Sequence, residues 1–83
     1  MPHKPEQHIP IEDQIRQIIF DMLSLDDLIG TDYVLCNSHI HDVYIMKSAL
    51  EEHFNIKVSL ELIIENSMTI SELIVLVKNM ITV

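Results

Sequence analysis

Residues 68–77 read MTISELIVLV, and the reading of this stretch decides the fold. Thr69 and Glu72 stand three residues apart just before an apolar run, the spacing at which each side chain can reach a terminal amide of the other's segment. Ile70, Leu73, Ile74, Val77 and Ile81 then recur at helical intervals and supply one apolar face. A helix entered at Thr69 is expected.

Working upstream, Ser59 can cap a short helix over LELIIEN, and the extended stretch IKV precedes it. Asn55 is a natural left-handed stop for a longer helix before that. This second helix is expected to begin near Asn37 or Ser38, with Ile40, Val43, Met46, Leu50 and Phe54 as its buried stripe and Ala49 beside it. A first helix is expected over residues 10 to 24, where Ile11, Ile15, Ile18, Ile19, Met22 and Leu23 face one way and Glu12, Asp13, Arg16 and Gln17 the other. Pro10 suits its first turn. Residues 25 to 37, LDDLIGTDYVLCN, lose the period. Gly30 offers a left-handed turn there, but Leu28, Ile29, Tyr33, Val34 and Leu35 are too apolar for a free linker, so a long loop lying across the core is expected.

The fold class implied is all-α: a small four-helix bundle of three long helices and one short, with a long loop between the first two. Residues 1–9 are expected to be a flexible polar leader, and 10–83 a single domain. The composition agrees. The chain is 48% hydrophobic but only 5% aromatic, so the core must be built from Ile, Leu, Val and Met. One Gly and three Pro, all of the latter in the first ten residues, are too few turn formers for a sheet protein.

Thirteen acids against five bases give a formal charge of −8, which disfavours nucleic acid and anionic membrane surfaces and suits partners with basic patches. Cys36 is the one cysteine, so no internal disulfide can form. The polar start MPHKPEQHIP lacks the apolar segment of a signal peptide, and no run approaches a membrane span. A cytoplasmic, stand-alone, monomeric protein is expected.

The order of these elements, with ALEEHFNIKV at 49–58 and MTISELIVLV at 68–77, resembles the acyl carrier protein family, which includes the peptidyl carrier domains. The resemblance covers roughly residues 11 to 82 and takes in the first helix, IEDQIRQIIFDMLSL. It implies a carrier-type bundle and docking onto biosynthetic enzymes of fatty-acid, polyketide or nonribosomal-peptide type. It also implies a 4'-phosphopantetheine arm, added by a phosphopantetheinyl transferase to the serine of a D-S-L motif at the entrance to the second helix. Counting back without a gap from Ala49-Leu50-Glu51-Glu52 puts D-S-L on His39-Ile40-His41, with Asp42 on the acid that commonly follows. Isoleucine has no hydroxyl. Ser38, two residues upstream, is the hydroxyl available for the arm, although Asn37 replaces the preceding acid; the other reading of Ser38 is a helix cap. Without the arm, the chain would be a carrier-like adaptor for a basic protein partner. An unrelated small regulatory bundle is the third reading.

Asp42, Glu51, Glu52, Glu61 and Glu65 form an acidic rim that, by the resemblance, would steer basic partners. Tyr44 and Ile45, if both exposed, add an apolar contact patch. No catalytic constellation accompanies them. His39 and His41, with His53, Cys36 and Asp42 nearby, suggest a metal site, but a two-residue separation sends helical side chains apart unless residue 39 is extended, and no second ligand pair has zinc-like spacing. Surface histidines answering to mildly acid pH are the plainer reading. Cys36 lacks a basic partner and reads as a small packed hydrophobe.

Overall fold

In the computed structural model, which describes residues 9–82, four helices carry the chain: α1 (Ile11–Leu23), α2 (Ile40–Phe54), α3 (Leu60–Glu65) and α4 (Ile70–Thr82). One 3-10 turn, Leu35–Asn37, interrupts the linker between α1 and α2. No strand occurs among the described residues, only an isolated antiparallel bridge between Val34 and Thr69. The all-α bundle with three long helices and one short is therefore what the chain adopts. Apart from Ile9, the leader expected over residues 1–9 lies outside the described residues. No helix among them is long and apolar enough to cross a membrane.

Helix α1 is the hub, packing on both α2 and α4. It starts on the carbonyl of Pro10, which accepts from the amides of Asp13 and Gln14, and stops at Ser24, whose left-handed backbone (φ 54°) lets Leu25 N–H reach back to Phe20. Ile15, Ile19, Phe20 and Leu23 are its buried residues. Met22, expected inward, is exposed, and Phe20 takes an inward place that the apolar face read from the sequence did not assign. The reason is rotation: a helix wedged between two neighbours buries a wider arc than one stripe. The guanidinium of Arg16, 4.4 Å above the Phe20 ring, covers its outer side. Val43, Met46 and Leu50 of α2, Ile63 of α3, and Ile70, Leu73 and Val77 of α4 complete the core with Leu35 and Val58. An ion pair between Glu12 and Lys78 joins the start of α1 to the later turns of α4.

Most of the expected helix ends are present. Asn55 ends α2 in the left-handed region (φ 56°), and the Ser59 hydroxyl accepts the Leu62 amide 3.2 Å away. At α4 the Thr69 amide donates to Glu72 Oε1 (2.9 Å) while the Glu72 amide donates to Thr69 Oγ1 (3.1 Å), the reciprocal box read from the sequence. Gly30 is a correction. Among the described residues the positive φ angles belong to Ser24, Asn55 and Ser67, not to Gly30. The linker turns by other means: Asp26 Oδ1 takes the Leu28 amide, and Tyr33 N–H closes a turn on the Gly30 carbonyl.

The linker then docks on the entrance of α4. Leu35 N–H donates to Met68 (2.8 Å), Ile70 N–H to Tyr33 (3.0 Å) and Ser71 N–H to Thr31 (2.9 Å). The last two satisfy first-turn amides of α4 that have no partner within the helix, and the first fixes the start of the 3-10 turn. They also drive Leu35 fully into the core, whereas Leu28, expected to help cover it, stands 91% exposed. Leu35→Ala should therefore destabilise the fold by about 2–5 kcal/mol, while Leu28→Ala should change it by less than about 0.5 kcal/mol. Urea unfolding of both variants distinguishes an anchored linker from a loose one, for which the two losses would be alike.

Candidate functional site

The site to which the sequence points is the entrance of α2. The 3-10 turn is closed by Asn37 N–H on the Val34 carbonyl and Ser38 N–H on that of Leu35, both at 3.0 Å. Ser38 (ψ 164°) and His39 (ψ 138°) follow in extended conformation, and the helix begins at Ile40. Neither Asn37 nor Ser38 is the cap expected from the sequence. Asn37 is consumed by the turn, which delays the helix by two residues. His39 is the cap instead: its Nδ1 accepts the His41 amide at 3.1 Å, and its carbonyl accepts those of Asp42 (3.0 Å) and Val43 (3.1 Å).

Ser38 is half-buried, and its hydroxyl lies 2.8 Å from that of Tyr33. This bond ties the exit of the 3-10 turn back to the linker. Ile40, expected in the buried stripe of α2, is 55% exposed, because that stripe begins a turn later at Val43. Beside it opens a small pocket of about 90 Å³ lined by Cys36, Ser38, Ile40, Val43 and Ile64. The Cys36 thiol is exposed and free, not packed as a small hydrophobe. His39 has the extended backbone that a paired-histidine ligand set would need. Its Nδ1 is already engaged by the His41 amide, and among the described residues no three His, Cys, Asp or Glu side chains gather to hold an ion.

Along α2 the outward residues begin with Ile40 and Tyr44, one helical turn apart on one side, while Ile45 is turned away from Ile40; Tyr44 is 50% and Ile45 40% exposed. Lys47 places its ammonium 5.2 Å from the Tyr44 ring centroid and 3.2 Å from Glu51 Oε1. Glu51 Oε2 accepts the Val58 amide at 2.8 Å. Glu51, read from the sequence as part of the partner-binding rim, thus has both oxygens occupied, holding the segment after Asn55 against the end of α2. Glu52 is exposed, and Asp42 is half-buried in the first turn, where a carboxylate complements the helix dipole. The rim that remains free to face a partner is Glu52, Glu61 and Glu65, all exposed.

The structural role of Glu51 was missed in the sequence because its partner is a backbone amide seven residues away, which leaves no side-chain pattern. The Tyr33–Ser38 bond was missed for a similar reason: two hydroxyls five apart become neighbours only once the 3-10 turn folds the chain back.

No family model, curated protein or solved structure matches this chain.

The Val58 amide holds the Glu51 carboxyl below the usual carboxylate range, with help from Lys47 and against its partial burial. A lowered value in the folded state means that ionised Glu51 contributes stability above the unfolded value of about 4.3, and that this contribution fades as pH falls from there through the folded value. Urea midpoints measured from neutral pH down to about pH 3 should drop more steeply for the native chain than for Glu51→Gln. Parallel curves would mean that the carboxylate has no such role.

Proposed function

We propose that this chain is an acyl-carrier-like adaptor: it docks onto biosynthetic enzymes of fatty-acid, polyketide or nonribosomal-peptide type through the entrance and outer face of α2, and it does so without a phosphopantetheine arm. Ile40 is the observation that carries the reading. It is the first residue of α2 and 55% exposed, at the position to which the ungapped register assigns the serine of D-S-L. An exposed apolar side chain stands where the carrier family has its hydroxyl. The helix order, the reciprocal Thr69–Glu72 box and the left-handed stop at Asn55 support the carrier-type likeness.

The docking half of the proposal rests on Tyr44, one helical turn from Ile40 on the same side of α2, and on the exposed Ile45 and Glu52 of the same helix, within a chain of formal charge −8. Such a surface combines an apolar contact with steering toward a basic patch, and the charge acts mainly on encounter rate and partner choice. A second reading, a loaded carrier, draws on a different observation. Ser38 lies outside the helix and lines the pocket at this corner, so its hydroxyl could be modified once freed from Tyr33.

Intact-mass analysis after incubation with coenzyme A and a broad-specificity phosphopantetheinyl transferase separates the two. The native chain is expected to stay unmodified, whereas the triple substitution His39→Asp, Ile40→Ser, His41→Leu is expected to gain one phosphopantetheine. A gain on the native chain that disappears in Ser38→Ala would replace the adaptor by the loaded carrier.

A further inference from the structure

We propose that His39 makes the entrance of α2 responsive to pH: the neutral ring caps the helix, and protonation releases it. The proposal stands apart from the carrier reading and follows from one bond, the His41 amide on His39 Nδ1 at 3.1 Å. An imidazole nitrogen accepts a hydrogen bond only through its lone pair. The imidazolium carries N–H on both nitrogens and accepts nothing. Protonation therefore turns the cap from an acceptor into a donor aimed at another donor. It also adds positive charge at the end of the helix where the backbone dipole is already positive.

The three capped helix starts differ in kind. Ser59 caps α3 with a hydroxyl, and α4 is capped by the Thr69 hydroxyl and the Glu72 carboxylate. A hydroxyl does not titrate, and a carboxylate keeps its charge well below pH 6. Histidine is the residue type whose charge changes between about pH 5 and 8, and of these caps only that of α2 is an imidazole. His41 is a second histidine in this first turn, and Asp42 is its acid.

On the segments around this corner (the linker, the 3-10 turn and α3, which packs on the turn and on α2) the titratable groups include Tyr33, Cys36, Glu61 and Glu65. None of them forms an ion pair with the His39 ring among the described residues. His53, in the last turn of α2, has the opposite sign of effect, since a cation there is favoured by the dipole. Whole-protein melting would mix the two, so the measurement must be local.

The full chain is followed by amide hydrogen exchange and 15N NMR from about pH 8 to about pH 5, with exchange corrected for intrinsic rates. The protection factor of the His41 amide is expected to fall by roughly fivefold, the factor that losing a typical cap corresponds to. The capped amides of Leu62 and Glu72 should hold theirs. In His39→Asp, which keeps an acceptor ionised throughout the range, His41 protection should persist to the acid end. In His39→Ala it should be low at both ends. Constant His41 protection in the native chain would overturn the proposal. So would an equal fall in His39→Asp, which would assign the change to titration of His41 itself.

Discussion

The short antiparallel contact between residues 33–35 and 68–70 is the constraint on which the rest of the structure depends. Without it, α4 would begin with unpaired amides, and a linker of more than a dozen residues would have no fixed course over the bundle. With it, Leu35 becomes a core residue and the 3-10 turn is set immediately in front of α2. The position of Ser38, the late start of α2 and the exposure of Ile40 all descend from that one docking event. A corner built this way derives its geometry from tertiary contact rather than from local helix propensity.

This explains which parts of the fold were legible in the sequence. The Thr69–Glu72 box, the Ser59 cap, the Asn55 stop and the spacing of Val43, Met46 and Leu50 are local signals, and each appears where its residues say it should. The entrance of α2 is not local. Asn37 and Ser38 are better cap formers than His39 by intrinsic preference, yet the turn pinned by Leu35 commits them elsewhere. Phe20 was overlooked because a single-stripe reading of α1 cannot anticipate two helical neighbours, although Arg16 one turn before an aromatic ring was a usable hint. Gly30 invited a left-handed turn on composition alone, and the Asp26 side chain already provided one route around the bend.

The acidic character of the chain divides in the same manner. Glu12 and Glu51 are spent inside the molecule, one on Lys78 and the other on Lys47 and the Val58 amide. Both carboxyls are held below the usual carboxylate range, Glu12 chiefly by Lys78 and Glu51 chiefly by the Val58 amide. What remains outward on α2 is a mixed surface in which Ile40, Tyr44 and Ile45 are the exposed apolar residues and Glu52 gives sign.

The Glu12–Lys78 clasp has a consequence for how this small bundle could be joined to other chains. It brings the first turn of α1 beside the later turns of α4, whereas the linker grips α4 at its beginning. With 13 residues, α4 is roughly 20 Å long, so the pole where the described chain enters and leaves is distant from the corner that presents Ile40. A fusion or a longer polypeptide attached at that pole would leave the opposite corner unobstructed, and one short bridge could connect both ends of the bundle.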